Sequence, residues 1–506
     1  MKKSTETRMQ DGNRDRNQMM ENGMIEIRAS NANIIIGFIW KFLERGITQI
    51  THLVLSLILA RLLSPGDYGT LALITVFINI SSILINNGFS VALVQKKDAD
   101  RLDFSSVFFF TLFLAAIMYA LLFASAPAIA AYYGNSGMEA VLRVLALQLF
   151  PGAASSVQNA YVSRTMQFKR LFLSSFLSML ISGITGIILA YCGAGIWALA
   201  VQSLLGTIMT SVVLFYAAGW RPEFEFSFQR IRSLLSFGSK MLGIGLLDSI
   251  FNNLYSIVIG RVFSTEQLGI YNRGQQMPQM IQSNIEGAVT GVALPAFSSD
   301  SENTGRVREM ARKFMKGCTF IVFPSLFGLA AVAEPLTLAL LTEKWKACIP
   351  YLRIFCFVYA VYSLNSIVVC SFYALGKSGL VFAMQAVKKI LIAVLLAASV
   401  RHGAFAVAVS QLFQGIFECI IHAYFAKKIL GYRYWHQLAD VMPQFLASVM
   451  MYALVRLISM IQGMPVTAML AFQILAGMVF YAGISRIFRI RALSMFLELA
   501  QKRRVQ

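Results

Sequence analysis

The chain has 506 residues, of which 57% are hydrophobic and only 13% are charged, and its formal net charge is +20. This composition excludes an ordinary soluble domain, in which about 25% of the residues are charged. Apolar runs recur along the chain and are long enough for bilayer-crossing helices, which need roughly 20 residues each. The runs do not alternate with period two, so transmembrane β-strands are not expected.

The predicted elements begin with residues 1–33, which we interpret as a flexible cytoplasmic tail because they lack the apolar core of a signal peptide. The rest predicts an all-α polytopic membrane protein with about fourteen transmembrane helices and a basic cytoplasmic tail at 488–506. The expected spans are 34–60, 68–92, 104–126, 139–162, 172–191, 195–216, 236–260, 268–296, 314–333, 349–374, 379–399, 404–425, 442–460 and 466–487. Within the fourth span, Pro151 and Gly152 predict a break.

Pairs of similar segments indicate a tandem duplication. Leu57–Gly69 (LILARLLSPGDYG) recurs as Ile257–Gly269 (IVIGRVFSTEQLG), and Gly195–Ile208 recurs as Gly403–Ile416. A shorter echo places Arg143 opposite Arg353 in apolar surroundings. Six spans per repeat give both halves the same orientation, as in transporters with parallel repeats. The expected domains are an N-lobe at 34–216, a cytoplasmic linker at 217–235, a C-lobe at 236–425 and two extra helices at 442–487.

The basic residues are concentrated in alternate loops. Because Lys and Arg collect on the cytoplasmic side of membrane proteins, this asymmetry predicts that both termini are cytoplasmic. Most of the excess charge is then topological, and no nucleic-acid partner is expected. The six cysteines are scattered without a CxxC motif, so we expect no disulfide, no metal site and no cofactor.

Ionisable side chains inside the expected spans are the candidates for function, because each is costly in lipid unless it faces protein or water. The first span contains Lys41, Arg45 and His52, although Lys41 could snorkel to the interface and Glu44 could simply neutralise Arg45. The other candidates are Lys240, Asp248, Asn252 and Tyr255 in the seventh span, Arg273, Gln275, Gln279, Gln282 and Glu286 in the eighth, Lys388 in the eleventh, and Gln411, Gln414, Glu418 and His422 in the twelfth. The glutamines could equally serve to join neighbouring helices.

The embedded cations outnumber the embedded acids, which predicts a wet, electropositive interior that attracts an anionic substrate such as a polyprenyl pyrophosphate. The residues assigned to substrate binding are Lys41, Arg45, Lys240, Arg273 and Lys388, and the coupling-ion candidates are Asp248, Glu286, Glu418 and His52. No GxxxxGK[ST] loop occurs, so an ATP-driven cycle is not expected.

Four motifs carry a family resemblance: WKFLERG from Trp40, LARLLSPGDYG from Leu59, GIWALA from Gly195 and GRVFSTEQLGIYNRG from Gly260. They resemble the polysaccharide transporter branch of the multidrug, oligosaccharidyl-lipid and polysaccharide exporter superfamily, which contains lipopolysaccharide and exopolysaccharide flippases. The resemblance implies two six-helix lobes with two extra C-terminal helices, and alternating access that is coupled to an ion gradient. It also implies a bacterial inner-membrane transporter, not an enzyme, that exports undecaprenyl-pyrophosphate-linked repeat units for cell-surface polysaccharide. The implied partners are the lipid-linked oligosaccharide, membrane lipids and the polysaccharide polymerase machinery.

Three alternatives stand beside the flippase. A drug exporter of the same superfamily should have an acidic cavity, whereas the embedded cations favour an anion. A membrane enzyme that polymerises lipid-linked sugars should carry a large outer loop, but the expected loops at 126–138 and 334–349 are short and lack a catalytic constellation. A structural scaffold has no reason to keep many buried charges.

Overall fold

The computed structural model describes residues 31–86, 89–96, 98–165, 167–460, 464–488 and 490. These residues form helices joined by short turns and contain no β-strand, which confirms the all-α prediction. In the first half the helices are α1 (Asn31–Leu62), α2 (Pro65–Asn86), α3 (Phe89–Gln95), α4 (Arg101–Tyr133), α5 (Gly137–Ala146), α6 (Leu149–Arg164), α7 (Phe168–Tyr191) and α8 (Ile196–Ala217).

The second half follows the same alternation of long helices and short turns. Its helices are α9 (Phe228–Val262), α10 (Thr265–Ser299), α11 (Thr304–Ala331), α12 (Ala333–Leu340), α13 (Ile349–Ala374), α14 (Ser378–Ser399), α15 (Ala404–Leu430), α16 (Tyr434–Ile458) and α17 (Val466–Ile487). A 3₁₀ segment, Glu343–Cys348, precedes α13.

Eleven helical segments among the described residues are long and apolar enough to cross a membrane. The chain is therefore a multi-pass membrane protein, as its composition predicts. Helices α9 and α10 are 35 residues long but fall outside this apolar set, because polar side chains interrupt them. On α1 the apolar part of the described chain is the shorter stretch Gly46–Leu62.

Two expected spans differ from the observed helices. The second expected span, 68–92, corresponds to α2 and α3, and the two residues between these helices lie outside the described residues. The fourth is divided between α5 and α6 at Leu147 and Gln148, just before the expected break. Pro151 lies in the first turn of α6, where backbone N–H groups have no intrahelical acceptor and a proline is tolerated.

The chain divides into two units. The first contains the described residues up to Leu63 together with Thr70–Leu254, and the second contains Ser64–Gly69 and the described residues from Tyr255 onward. The first unit has an aromatic core in which Trp220 lies 5.8 Å from Phe104 and 6.1 Å from Tyr161, measured between ring centroids.

The repeated turn motif is explained by contacts inside the second unit. A Cβ atom on Gly69 would lie 1.6 Å from the carbonyl oxygen of Thr265, and one on Gly269 would lie 1.9 Å from the carbonyl oxygen of Pro65. The beginnings of α2 and α10 therefore cross in backbone contact, which requires glycine at both positions.

The serines of the same motif begin the two helices. Ser64 Oγ accepts a hydrogen bond from the backbone N–H of Asp67 at 3.2 Å, and Ser264 Oγ accepts one from Gln267 at 3.0 Å. Each serine thus satisfies a backbone donor that the helix itself cannot. The motif recurs in both halves because it specifies a helix start and a close crossing.

Each unit also contains an ion cluster near the start of long helices. In the first unit, buried Asp103 pairs with Lys96 at 2.6 Å and with Arg230 at 3.6 Å. In the second unit, buried Asp440 pairs with Arg312 at 2.6 Å and with Lys316 at 2.9 Å. Sequence analysis missed both of these clusters.

Candidate functional site

Polar side chains from four helices meet in the second unit and form what we call the Glu418 cluster: Tyr255, Tyr362, Lys388, Gln414 and Glu418. The ammonium of Lys388 lies 3.3 Å from Glu418 Oε2, and Gln414 Nε2 donates to Glu418 Oε1 at 2.8 Å. Tyr255 Oη donates to Gln414 Oε1, also at 2.8 Å. The Lys388 ammonium additionally lies 5.4 Å from the centroid of the Tyr362 ring, within range of a cation–π contact.

The spacing of polar residues on α15 accounts for the cluster. Gln411, Gln414, Glu418 and His422 follow one helical face, and all four side chains are buried. Gly415 lies on the same helix, where a Cβ atom would come 2.8 Å from the Tyr362 ring. The absent side chain lets α15 approach α13 closely enough for Tyr362 to reach the ion pair.

Within the cluster the cation is more accessible than the acid. Glu418 is nearly inaccessible, with 8% of its side chain exposed, whereas 30% of the Lys388 side chain is exposed. A carboxylate in a membrane helix needs a partner to offset its desolvation, and Lys388 provides it. An ammonium has three N–H donors, so Lys388 can serve Glu418 and an external anion together.

Further hydrogen bonds extend from the cluster along α10. Gln411 donates to Tyr271, and Gln275 donates to the Tyr359 hydroxyl at 2.8 Å. Gln282 donates to Glu286, which lies within electrostatic range of Lys388. Glu286, Lys388 and Glu418, which sequence analysis assigned separately, therefore belong to one electrostatic environment.

Arg273 lies in a different place from the Glu418 cluster. Its side chain is buried, with guanidinium carbon 5.6 Å from the Tyr68 ring centroid and 5.5 Å from that of Trp345. Its Nη1 donates to Gln276 at 2.7 Å. At 1.5 Å per residue, Arg273 is about 20 Å along α10 from Glu286. The structure thus does not bring Arg273 and Lys388 to one binding position.

The candidates of the first unit are less defined. His52 on α1 and Asp248 on α9 are exposed. Lys41, Arg45 and Lys240 lie on the same two helices, but their side chains are outside the described residues. Asn252 is exposed like Asp248, whereas Tyr255 is buried. Only part of the candidate set on α9 therefore faces protein.

The matched arginines of the two halves are both ion-paired. Arg143 Nη1 lies 2.8 Å from Glu139, and its guanidinium covers the ring of Phe123. Arg353 Nη2 lies 3.3 Å from Glu334. The Arg353 contact was not anticipated from sequence, because Glu334 is nineteen residues away along the chain.

A second repeat signal would have pointed to the missed ion clusters. The segment Gly219, Trp220 and Arg221 follows α8, and it recurs as Gly431, Tyr432 and Arg433 after α15. Both glycines have left-handed backbone angles, with φ of 72° and 64°. The aromatic residue that follows is buried in each case, and the Tyr432 hydroxyl donates to Asp440 at 2.9 Å.

A protein-family model described as Polysaccharide biosynthesis protein matches residues 58–350, which is more than half of the chain. The chain belongs to the polysaccharide biosynthesis protein family. This membership confirms the resemblance carried by the sequence motifs. The matched region of this family member includes both copies of the repeated turn and all of α10.

Curated relatives agree with the membership. The family member is 28% identical over 286 residues to teichuronic acid biosynthesis protein TuaB of Bacillus subtilis (strain 168), covering 55% of the chain and 58% of TuaB. It is 27% identical over 295 residues to succinoglycan biosynthesis transport protein ExoT of Rhizobium meliloti (strain 1021), covering 58% and 60%. It is 23% identical over 319 residues to lipopolysaccharide biosynthesis protein WzxC of Escherichia coli (strain K12), covering 62% and 63%. The alignments thus span less than two thirds of each of these relatives.

Solved structures share the fold. Lipid II flippase MurJ in an inward closed conformation superposes with a TM-score of 0.73 at 16% identity, covering 90% of this chain and 98% of MurJ. An inward-facing multidrug resistance MATE family transporter of the MOP superfamily superposes with a TM-score of 0.60 at 15% identity, covering 78% and 98%. The family member therefore has a MurJ-like and MATE-like helical fold.

Proposed function

We propose that the protein is a flippase that moves polyprenyl-pyrophosphate-linked oligosaccharides across the bacterial cytoplasmic membrane by alternating access. The observation that carries this proposal is the pair of half-buried Lys388 and buried Glu418 in the membrane-crossing helices of a polysaccharide biosynthesis family member. The names of the relatives supply the substrate class: succinoglycan transport for ExoT and lipopolysaccharide biosynthesis for WzxC. The activity, substrate and polymerase partner of this chain are inferred from those names and from its chemistry.

The proposed topology has fourteen spans and two cytoplasmic termini. Eleven described segments meet the length and apolarity of a span, and α1, α9 and α10 would complete the set. These three helices carry Lys41, Arg45, Asp248 and Glu286, so the polarity that lowers their hydropathy is the feature expected of helices lining a substrate path. The lobes are proposed at 34–216 and 236–425, with the additional pair at 442–487.

Within this proposal, Lys388 binds the pyrophosphate while Glu418 keeps its ammonium in place. Arg45, Lys41 and Lys240 are proposed to extend the cationic surface, and Arg273 to act at another level of the path. Asp248, Glu286, Glu418 and His52 are the proposed exchange sites for a coupling ion. The tyrosine and glutamine side chains near Lys388 offer hydrogen bonds to sugar hydroxyl groups.

Two other functions remain as outcomes of the test. A drug exporter would transport amphipathic cations, for which Lys388 in the candidate site is unfavourable. An enzyme that polymerises lipid-linked sugars would form product without transbilayer movement.

The test is a deletion strain in which lipid-linked oligosaccharide is measured on each face of the cytoplasmic membrane. We expect the oligosaccharide to accumulate on the cytoplasmic face, and the wild-type gene to restore its translocation. Lys388→Ala and Arg45→Ala should restore it poorly, whereas Lys377→Ala, which removes an exposed charge, should restore it fully. Equal distribution across the membrane in the deletion strain would refute the flippase. Full rescue by both variants would refute the site.

A further inference from the structure

Two cavities that share lining residues lie among α11, α13, α15 and α16 of the second unit, and neither Lys388 nor Glu418 lines them. The first has a volume of ≈ 380 Å³ and an apolar lining that includes Phe323, Phe357, Leu412 and Phe445. The second has a volume of ≈ 240 Å³, and its lining adds polar side chains: Asn365, His422, Tyr434 and Gln437. The cavities share four lining residues: Val361, Leu364, Leu438 and Val441. Together they form one cleft with an apolar end and a polar end.

The polar end contains a buried donor without a strong acceptor. Asn365 is only 7% exposed, and its Oδ1 lies 2.9 Å from His422 Nδ1. With the proton on His422 Nδ1, the Asn365 carbonyl accepts this bond. The Asn365 Nδ2 group then makes no hydrogen bond of ordinary length among the described residues, and only the weakly accepting thiol of Cys419 interacts with it. A buried amide N–H in this position is unfavourable unless a ligand oxygen accepts from it.

The two ends of the cleft are ordered along α16 as the parts of a lipid are ordered in a bilayer. Helix α16 begins with Tyr434 and Trp435, and Trp435 is 76% exposed. Exposed aromatic residues at a helix end are typical of the membrane interface. Phe445, which lines the apolar end, lies ten residues further along α16, about 15 Å deeper. The polar end is thus nearer the aromatic start of α16, and the apolar end lies further along the helix.

The charges around the polar end favour an anion. Lys427, Lys428 and Arg433 are exposed at the adjoining ends of α15 and α16. The acid closest to them on α16, Asp440, is already bound by Arg312 and Lys316. Basic side chains at a membrane surface attract anionic lipids.

We propose that this cleft binds one anionic phospholipid of the surrounding bilayer, with its phosphate at Asn365 and an acyl chain in the apolar cavity. The phosphate oxygen accepts from Asn365 Nδ2, and the exposed basic residues balance its charge. The site is distinct from the proposed substrate site, because neither Lys388 nor Glu418 lines it.

The test uses full-length protein in a mild detergent, titrated separately with phosphatidylglycerol and phosphatidylcholine and examined by native mass spectrometry. We expect one phosphatidylglycerol per chain, bound about tenfold more tightly than phosphatidylcholine. Leu364→Trp fills the junction of the cavities and should weaken this binding about tenfold. Leu446→Trp is the matched control, since Leu446 lies on α16 but lines neither of the two cavities, and it should bind as wild type does.

A second variant keeps the proposal testable if Leu364→Trp does not fold. Asn365→Asp preserves the side-chain shape and the acceptor for His422, but it places a carboxylate where the phosphate is proposed to bind. It should weaken phosphatidylglycerol binding while the size-exclusion profile stays monodisperse. Unchanged binding in both folded variants would overturn the proposal. So would equal binding of the two lipids, or displacement of phosphatidylglycerol by an equimolar polyprenyl phosphate.

Discussion

Helices α7 and α8 of the first unit and α14 and α15 of the second occupy matching positions in the repeat, yet their interiors differ. In the register of the GIWALA repeat, Lys388, Gln414 and Glu418 correspond to Leu180, Gly206 and Thr210. Gly186 and Gly206 allow close packing in the first pair, where a Cβ on Gly186 would lie 3.0 Å from Gln202 Cβ. In the second pair, Gln414 stands in place of Gly206 and Val394 in place of Gly186. The duplication preserved the helices while the ion chemistry of this helix pair became specific to the second unit.

The repeated turns show the opposite behaviour, because both copies keep the same chemistry. Ser64 and Ser264 cap helices in the same way, and Gly69 and Gly269 make reciprocal backbone contacts. Backbone geometry constrains these positions, whereas side-chain function constrains the Glu418 cluster. The turn glycines should therefore tolerate substitution least. Substitutions in the Glu418 cluster should allow effects on transport to be separated from effects on stability.

The largest expected effect is at the crossing. Gly69→Ala and Gly269→Ala should each destabilise the protein by more than about 4 kcal/mol, or prevent its accumulation, because the new Cβ overlaps a carbonyl oxygen. Gly66→Ala in the same turn is the control, since its closest neighbour outside the local backbone is 3.8 Å away. The midpoint of thermal unfolding in detergent measures the difference. Equal stability of Gly66→Ala and Gly69→Ala would show that the crossing is not a constraint.

The second effect concerns the ion pair. Glu418→Gln should destabilise the protein by about 3–5 kcal/mol, because it leaves the Lys388 ammonium without its carboxylate in a membrane helix. The double variant Lys388→Met with Glu418→Gln should recover most of this stability but not transport. Thr210→Val, at the matching position of the first unit, should retain both. Transport by the double variant at the wild-type rate would refute the role of Lys388.

Much of this architecture is predictable from sequence because length and periodicity determine it. Long apolar runs identify the helices, and the spacing of Gln411, Gln414, Glu418 and His422 identifies a buried face. The prediction was less successful where local backbone geometry decides the outcome. Helix α5 ends five residues before Pro151, since the proline is accommodated inside the first turn of α6.

Side-chain partners were the least predictable part of the site. Lys388 and Glu418 are thirty residues apart and were assigned to different roles, but packing of α14 on α15 joins them. Arg273 and Lys388 were both assigned to substrate binding, but about 20 Å of α10 separates Arg273 from Glu286, the acid within electrostatic range of Lys388. Tertiary contact depends on helix packing, which a single sequence does not specify.

A third prediction sharpens the contrast between the helix pairs. Gly186→Val should destabilise the protein by about 1–3 kcal/mol, because its side chain has to enter the space occupied by Gln202. Val394 occupies the matching position on α14 and is exposed, so Val394→Ala should change the unfolding midpoint very little. A larger effect at Val394 than at Gly186 would mean that the close packing belongs to the second pair.

The smallest effect concerns the two ion clusters, whose acids lie on different helices. In the first unit the acids are Asp103 on α4 and its N-cap Asp100, and in the second unit the acid is Asp440 on α16. Burial opposes ionisation of Asp100, but the backbone N–H of Asp103 and the Arg230 guanidinium hold the pKa of Asp100 below its ordinary value of 3.8. Because the pKa is depressed in the folded state, this stabilisation is present above pH 3.8 and is lost as the pH falls through the folded value.

Asp100→Asn isolates that charge, because asparagine caps a helix as well as aspartate does. The wild-type unfolding midpoint should fall more steeply than that of Asp100→Asn when the pH is lowered from about 5 to about 3. Asp98→Asn, two residues earlier and exposed, should follow the wild-type curve. Parallel curves for wild type and Asp100→Asn would mean that Arg230 is held by Asp103 alone. Asp103 would then resemble Asp440, because each would bind both cations of its cluster with one buried carboxylate.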